Sequence, residues 1–186
     1  MTPKTLTKRA FLGYGATGVT LAALAGVGSL GGGFGATAAN AGGPIAKGDF
    51  PISYSTEEWR RRLTDKEFYI LREAGTERPG TSPLNAEKRR GIFACAACGN
   101  YVYTSLTKFE SNTGWPSFWA PVKDGVGYAD DRSLFITRTE VHCADCGGHL
   151  GHVFDDGPRP TGKRHCINGA ALDFIHKPKT DKKGNA

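Results

Sequence analysis

Acidic residues are absent from the first 48 positions, and no charged residue of either sign occurs between Ala10 and Ala46. Since three of the 24 basic residues come before that stretch, the chain after residue 41 carries 21 basic and 18 acidic side chains. This excess of three is too small to indicate a nucleic-acid-binding protein. The 186 residues are 39% hydrophobic and 23% charged, which excludes wholesale disorder and predicts one packed domain.

Cysteine is also scarce, with five residues in the chain. An odd number excludes a framework in which every cysteine is paired in a disulfide, because one thiol is left over. The sequence has no repeat of fixed period, and the only cysteine motif that occurs twice is C-x-x-C. Composition thus limits the class of protein, and the cysteines carry the information about function.

The uncharged N-terminal stretch resembles an export signal. A basic start precedes an apolar segment over 11–30, and small residues at 36–41 match the A-x-A pattern of a cleavage site. Thr7 to Leu12 resembles a twin-arginine signal with Lys8 in place of the first arginine. We therefore expect residues 1–41 to be a cleaved signal peptide and the mature protein to be exported to the periplasm, without stable membrane insertion. An uncleaved membrane anchor is the alternative, and the many glycines argue against it.

Two short helices are predicted at the start of the mature chain. Ser55-x-x-Glu58 and Thr64-x-x-Glu67 are capping-box patterns, which predict helices near 56–63 and 65–74. Gly75 follows as a typical C-terminal stop. The residues expected on the buried face of the two helices are Trp59, Leu63, Phe68 and Leu71.

The sequence from residue 91 onward is typical of a loop-rich, antiparallel β domain, so the predicted fold class is mainly β. Short β-prone runs are separated by Gly, Pro, Asp and Asn. These runs are 92–94, 101–103, 134–141 and 172–175. Residues 42–52 are predicted to be a small-residue linker and 178–186 a charged tail, which leaves 53–177 as the folded domain.

The two C-x-x-C pairs predict a metal site. Cys95 and Cys98, like Cys143 and Cys146, are followed by glycine, which suits the tight turn of a zinc knuckle. Two residues between ligands let both thiolates reach one tetrahedral ion, and four thiolates with no open position define structural zinc. Two local disulfides are the alternative, and they would be strained at this spacing. We expect one structural Zn²⁺ per chain that staples the fold.

The fifth cysteine is the candidate nucleophile. Arg164 and His165 precede Cys166, and nearby positive charge lowers the pKa of a thiol and raises its nucleophilic thiolate fraction. An inert buried cysteine is the alternative. The segment 149–156 holds two histidines and two aspartates, which favours acid–base chemistry at Cys166 over that alternative.

Aromatic residues cluster between Gly114 and Pro121. Such a cluster usually belongs to a core. In a loop interrupted by glycine and prolines, Trp115 and Phe118 can instead form an apolar wall for a small side chain.

Together these motifs closely resemble the methionine sulfoxide reductase B family. The matching segments are 108–110 running into 114–118 (GWPSF), 149–154 (HLGHVF) and 164–172 (RHCINGAAL). The two C-x-x-C pairs match the zinc-containing branch of the family. The resemblance covers roughly 53–175 and implies a fold of two coiled antiparallel sheets, and we expect the protein to be a monomer. It further implies reduction of the R epimer of methionine sulfoxide in oxidised proteins, at the expense of a thioredoxin-like reductant.

The resemblance also implies roles for individual residues. Cys166 is the attacking thiolate, and its product on the enzyme is a sulfenic acid. His149 and His152 orient the substrate and help to protonate its oxygen. Trp115 contacts the methyl group of the sulfoxide, and Phe118 belongs to the same substrate-binding wall.

Three further residues support this chemistry, and two positions depart from the family. Arg164 and Asn168 tune the attacking thiol, and Asp156 supports the polar network around the histidines. His165 stands where the family usually has an aromatic residue. Thr113 stands where many members carry the resolving cysteine, so we expect an external thiol to reduce the sulfenic acid.

Two other functions are compatible with parts of the pattern. A non-catalytic zinc-binding interaction module would need only the four cysteines of the C-x-x-C motifs. A Cys/His acyl-transfer enzyme would use Cys166 as the nucleophile that attacks an acyl group. Formation of methionine from methionine-R-sulfoxide with a thiol donor separates the reductase from both.

Overall fold

The computed structural model describes residues 48–133 and 137–177. The predicted signal peptide at 1–41, the start of the predicted strand at 134–136 and the predicted tail at 178–186 lie outside the described residues. Within them, every helix is too short or too polar to span a bilayer.

Both predicted helices are confirmed, with α1 over Thr56–Arg62 and α2 over Asp65–Glu73. The Ser55 side chain accepts a hydrogen bond from the Glu58 N–H and caps α1, and Thr64 with Glu67 forms a complete capping box at α2. The side chains predicted for the buried face are buried, and Ile70 of α2 joins them. The two helices therefore present one apolar face to the β domain.

Helix α2 ends at Glu73, but the residue that leaves the helix in the left-handed conformation is Ala74, with a φ of 51°. Gly75 instead lies against the ring of Tyr69. A Cβ at that position would overlap the ring, so a larger residue there would require this half-exposed side chain to move.

The predicted mainly β class is confirmed, and the strands form two antiparallel sheets. The smaller sheet has the order β2-β1-β9, with β1 over Gly91–Cys95, β2 over Tyr101–Thr104 and β9 over Leu172–His176. The larger sheet has the order β3-β4-β8-β7-β6-β5. Its strands are β3 Lys108–Phe109, β4 Ser117–Phe118, β5 Val126–Asp131, β6 Arg138–Cys143, β7 His149–Phe154 and β8 Arg164–Ile167.

Aromatic rings join the two sheets. Phe118 of β4 stacks on Tyr103 of β2 with ring centroids 4.3 Å apart, and it meets Phe93 of β1 edge-on at 5.0 Å. Phe93 also contacts Phe174 of β9 at 5.0 Å. Because the first three of these side chains are completely buried, this cluster is a large part of the hydrophobic core.

The described part of the predicted linker contacts the β domain. The Ile52 N–H donates to the Asp145 carbonyl at 2.8 Å, and the Phe50 ring lies edge-on to His142 with centroids 5.7 Å apart. The chain is therefore tied to the second C-x-x-C turn a little before residue 53.

Candidate functional site

Neighbouring strands of the larger sheet bring four polar side chains into one row. Cys166 of β8 pairs directly with Ser117 of β4 on one side and with His152 of β7 on the other. His152 pairs in turn with Glu140 of β6. Directly opposed residues of antiparallel strands point to the same face of the sheet, so the predicted nucleophile and a predicted acid lie side by side.

A cavity of about 150 Å³ opens beside this row. Its lining residues are Thr76, Trp115, Arg138, Gly151, His152, Phe154, Cys166 and Asn168. The indole N–H of Trp115 donates to the Glu77 carbonyl at 3.1 Å, which fixes the ring in the cavity wall. The cavity thus combines a thiol, an imidazole and an aromatic wall.

His152 is held by a carboxylate that sequence analysis did not select. Asp131 Oδ2 lies 2.7 Å from His152 Nε2 and 2.6 Å from Arg138 Nη2, and its Oδ1 accepts from the Ser133 N–H at 2.9 Å. Burial opposes ionisation of Asp131, but bonds from Ser133, His152 and Arg138 hold the pKa of its carboxyl well below the usual range. Burial lowers the pKa of His152, and the Asp131 bond opposes that shift.

The other predicted histidine lies deeper. His149 Nδ1 is 2.6 Å from Glu140 Oε1, and the two side chains are only 2% and 1% exposed. The His149 ring meets the His152 ring edge-on, with centroids 5.3 Å apart. His149 therefore contacts His152 from behind rather than lining the cavity.

Asp156 binds the arginine before the nucleophile and neither histidine. Its two carboxylate oxygens accept from Arg164 Nε and Nη2, both at 2.8 Å, and the guanidinium lies over the Phe154 ring at 4.4 Å. The bonds from Arg164 lower the pKa of Asp156. The structure thus gives the histidines two other carboxylates, those of Asp131 and Glu140.

The net electrostatic effect on Cys166 is the reverse of the one predicted from its basic neighbours. Burial raises the pKa of the Cys166 thiol, while a hydrogen bond from Thr113 and the charge of Arg164 oppose that rise. The cations do favour the thiolate, but desolvation of a half-buried sulfur is the larger effect.

Asn168 is bound to the main chain on both sides of its amide. Its Oδ1 accepts from the Glu77 N–H at 3.0 Å, and its Nδ2 donates to the Leu150 carbonyl at 3.1 Å. The buried Glu77 carboxylate accepts the N–H groups of Gly169 and Ala170. Glu77 therefore connects the turn after β8 to Trp115 in the cavity wall. Nothing in the sequence around Glu77 indicates this role.

Phe118 faces away from the cavity. It pairs with His165 across β4 and β8, and successive residues of a strand alternate between faces, so both point into the core opposite Cys166. His165 Nδ1 lies 3.1 Å from the Tyr103 hydroxyl. Burial, aided by the charge of Lys163, lowers the pKa of His165 to about 4, so this ring is neutral near pH 7.

The four cysteines of the two C-x-x-C motifs lie close together, as predicted. Their sulfurs all lie within 4.8 Å of one another, with Cys95 and Cys146 3.8 Å apart and Cys98 and Cys143 3.6 Å apart. A zinc–sulfur bond of about 2.3 Å requires sulfurs about 3.8 Å apart in a tetrahedron, whereas a disulfide requires about 2.05 Å. The donor set and its spacing therefore fit a tetrahedral thiolate-bound metal.

Two further side chains donate hydrogen bonds to this cysteine cluster. Arg72 Nη2 lies 3.1 Å from Cys146 Sγ, and Asn100 Nδ2 lies 3.4 Å from Cys143 Sγ. Donors of this kind stabilise anionic sulfur. Since Cys95 ends β1 and Cys143 ends β6, the cluster joins the smaller sheet to the larger one.

Comparison with known proteins assigns the family. The SelR domain matches residues 63–176. A peptide methionine sulfoxide reductase MsrB of Leifsonia xyli subsp. xyli is 55% identical over 130 residues, which cover 69% of this chain and 94% of the relative. Its counterpart in Methanosarcina barkeri is 49% identical over 134 residues, covering 72% of this chain and 92% of the relative. The chain therefore belongs to the SelR-domain family of MsrB methionine sulfoxide reductases.

Proposed function

We propose that this protein reduces methionine-R-sulfoxide in oxidised proteins to methionine, with Cys166 as the nucleophile and a thiol as the final electron donor. The observation that carries the proposal is the pairing of Cys166 with His152 beside a cavity walled by Trp115. The relatives named above are peptide methionine sulfoxide reductases, which agrees with this chemistry.

The reaction transfers one oxygen atom between two sulfurs. The Cys166 thiolate attacks the sulfoxide, the oxygen leaves the methionine sulfur, and one proton is taken up to give a sulfenic acid on Cys166 and a free thioether. The cysteine sulfur is oxidised by two electrons and the methionine sulfur is reduced by two. An external thiol then returns Cys166 to its reduced form.

His152 is the proton donor in this proposal. Its Nε2 faces Asp131, so the proton leaves from Nδ1, the ring nitrogen not bound to the carboxylate. Asp131 stabilises the imidazolium, and buried His149 holds the ring from behind. His149 and Glu140 therefore act on the substrate through His152.

The remaining residues of the cavity shape and charge the site. Trp115 offers an apolar face to the methyl group of the sulfoxide, and Arg164, fixed by Asp156, favours the thiolate of Cys166. Asn168 anchors the strand end that carries Cys166 by its two main-chain bonds. Phe118 acts as core beneath the site rather than as a contact for the substrate.

We also propose that the cysteine cluster holds one zinc ion. Zinc suits four thiolates in a tetrahedral arrangement, and its part here is structural because no ligand position is left open. Cys95, Cys98, Cys143 and Cys146 would hold the ion, with Arg72 donating to one of the sulfurs.

Export to the periplasm, through the twin-arginine route, is part of the proposal. The support is the resemblance of Thr7 to Leu12 to a twin-arginine signal, together with the chemistry of five thiols. Thiols exported unfolded would meet an oxidising compartment, whereas prior folding in the cytosol lets them bind metal first. Fusion of residues 1–41 to a reporter, compared between strains with and without twin-arginine transport, tests the route.

The reductant that we propose is a thioredoxin-like protein acting on a monomer. An external donor is required because the chain has five cysteines, and four of them form the cluster. Sedimentation of the mature protein tests the oligomeric state. Reduction kinetics with a thioredoxin, compared with those of a small dithiol, test the donor.

An activity assay on both sulfoxide epimers tests the function. The protein is incubated with methionine-R-sulfoxide or methionine-S-sulfoxide, each in a blocked peptide, with excess dithiothreitol, and methionine is quantified. We expect turnover of the R epimer alone and no turnover by Cys166→Ser, because a serine hydroxyl is not ionised near neutral pH. Absence of methionine with both epimers, or full activity of Cys166→Ser, would overturn the proposal.

A further inference from the structure

Three hydroxyl groups form a chain of hydrogen bonds that ends at the sulfur of Cys166. Thr113 Oγ1 lies 3.9 Å from Cys166 Sγ and 2.8 Å from Ser111 Oγ. Ser111 Oγ lies 2.7 Å from Ser117 Oγ, which lies 3.1 Å from the Trp115 carbonyl. We refer to Thr113, Ser111 and Ser117 as the hydroxyl chain.

Main-chain structure holds both ends of the hydroxyl chain. Ser117 is 1% exposed and pairs directly with Cys166 across β4 and β8. Ser111 Oγ also accepts the Thr113 N–H at 3.5 Å. Strand pairing therefore fixes the Ser117 end relative to Cys166, and hydrogen bonds connect the other two hydroxyls to that end. Rotation of the O–H bonds is enough to reverse the direction of donation.

The number of hydrogen atoms determines the direction of the chain. With a neutral Cys166 thiol, four donors serve four contacts, so each group donates toward the Trp115 carbonyl. When Cys166 is a thiolate, only the three hydroxyl hydrogens remain to serve the four contacts, so one contact must lack a hydrogen bond. The lowest free energy is reached when every hydroxyl donates toward Cys166. Thr113 then donates a charge-assisted hydrogen bond to the sulfur, and the contact without a bond is the neutral one at the Trp115 carbonyl.

We propose that the hydroxyl chain is a reversible hydrogen-bond relay for Cys166, in which Thr113 donates to the thiolate before oxygen transfer and accepts from the sulfenic acid afterwards. The inference rests on the proposed function, in which a thiolate, a sulfoxide and one proton give a sulfenic acid and a thioether. A sulfenic acid carries its own O–H, so it restores the direction that the neutral thiol imposes. Thr113 thereby becomes a catalytic residue that contacts the reacting sulfur.

The relay has a consequence for an enzyme without an internal resolving cysteine. The sulfenic acid must persist until an external thiol reaches it. A hydrogen bond from its O–H to Thr113 lowers its free energy and delays its further oxidation to sulfinic acid.

Removal of one hydroxyl tests the thiolate part of the relay. In the full-length protein, alkylation of Cys166 by iodoacetamide is followed against pH, with the modified peptide identified by mass spectrometry. We expect Thr113→Val to raise the pKa of Cys166 by about one unit and to lower its alkylation rate at neutral pH about tenfold, the effect of losing one hydrogen bond to a charged group. Thr113→Ser, which keeps the hydroxyl, should restore most of that rate.

A matched control removes a hydroxyl outside the chain. Thr107 is also half-buried, and its Oγ1 donates to the Ala120 carbonyl at 2.8 Å. Thr107→Val should leave the alkylation profile of Cys166 as in wild type. Ser111→Ala, which interrupts the relay without contacting Cys166, should shift the profile in the same direction as Thr113→Val but less far.

A second measurement tests the sulfenic acid part. After one turnover without reductant, dimedone is added at increasing delays in the presence of hydrogen peroxide, and sulfenic and sulfinic forms of Cys166 are counted. We expect the sulfenic acid of Thr113→Val to be lost several-fold faster than that of wild type or Thr113→Ser.

The outcomes separate this inference from the proposed function. Wild-type protein that forms no methionine overturns the function, and the alkylation profile of the unreacted protein still tests the thiolate part of the relay. Wild-type protein that turns over, with Thr113→Val and Ser111→Ala both matching it in alkylation and in sulfenic acid lifetime, overturns the relay alone.

Discussion

Asp131 Oδ2 lies 2.7 Å from His152 Nε2, although 21 residues separate the two in sequence. The same oxygen accepts from Arg138 Nη2 at 2.6 Å, so the carboxylate remains ionised while it orients the imidazole. This pair engages one ring nitrogen of His152 and stabilises the charged ring, which leaves the second ring nitrogen as the proton donor that we propose.

Asp131→Asn should lower kcat/KM for the R epimer by about ten- to a hundredfold. The amide is nearly the same size, but it removes the charge that stabilises imidazolium and can present an N–H to Nε2, which favours the wrong tautomer. Steady-state kinetics with dithiothreitol measure the loss. Asp130→Asn is the matched control because the Asp130 side chain is 68% exposed and, among the described residues, forms its ion pair with surface Arg132, so the change should leave kcat/KM as in wild type. Equal effects of the two substitutions would contradict the role of Asp131.

The two reacting groups have pKa values displaced in opposite directions, and this predicts the pH profile. Burial raises the pKa of Cys166 above 9.0, and burial lowers the pKa of His152 below 6.5. Between the two pKa values, the fraction of Cys166 thiolate rises with pH as fast as the fraction of His152 imidazolium falls. The fraction of enzyme that carries both reactive forms therefore stays constant. We expect single-turnover kcat/KM to be flat across neutral pH, to fall below the His152 pKa as thiolate is lost, and to fall above the Cys166 pKa as imidazolium is lost. Limbs with midpoints between pH 6.5 and pH 9.0 would contradict this assignment.

Glu77→Gln should impair substrate binding and lower stability together. The carboxylate accepts two N–H groups of the turn at 169–170, and a glutamine would oppose one of them with its own NH₂ group. Leaving a buried donor unpaired costs about 1–3 kcal/mol, and displacement of the attached Trp115 wall should raise KM more than it lowers kcat. Lys66→Gln is the control, because it removes only the partly exposed ion pair to Glu77 at 3.2 Å. Thermal melts and kinetics of both variants are compared, and equal effects would contradict this role of Glu77.

Contacts that depend on short sequence spacing were predictable here. The capping boxes of both helices and the two C-x-x-C turns are local patterns, and the structure has them where the sequence places them. Gly99 and Gly147, with φ of 80° and 64°, show why glycine follows each pair. The basic residues before Cys166 suggested a lowered thiol pKa, and this signal was only partly reliable: the charge of Arg164 does favour the thiolate, but burial, which the local sequence does not reveal, outweighs it.

Contacts that depend on strand register were not predictable. Glu77 reaches Asn168 across 91 residues, and Asp131 meets His152 only because β5, β6 and β7 are neighbours in one sheet. Phe118 illustrates the opposite error. Its proximity to Trp115 along the chain suggested one aromatic wall, but Trp115 precedes β4 and lines the cavity, whereas Phe118 lies on the face of β4 opposite Ser117 and is buried in the core.

Loss of the cysteine cluster should destabilise the fold more than loss of Cys166. The four sulfurs join the end of β1 to the end of β6, and metal-binding free energy at such a site is folding free energy. We expect one zinc per chain in wild type, and a melting temperature about 10 °C or more lower in Cys98→Ser or after chelation. Cys166→Ser should keep both the zinc and the melting temperature. A metal-free chain that melts like wild type would contradict the prediction.

Regeneration of Cys166 should use an external thiol without breaking the cysteine cluster. Thr113 Oγ1 is 3.9 Å from Cys166 Sγ, so a cysteine at 113 would be well placed to resolve the sulfenic acid, and a threonine cannot. Methionine-R-sulfoxide is supplied without reductant, the sulfenic acid on Cys166 is trapped with dimedone, and thiols are then counted under denaturing, chelating conditions. We expect one thiol lost and no zinc released per methionine formed, and two thiols lost in Thr113→Cys, which serves as the positive control. Two thiols lost in wild type, or zinc release that follows turnover, would mean that a cluster cysteine leaves the metal to form an internal disulfide.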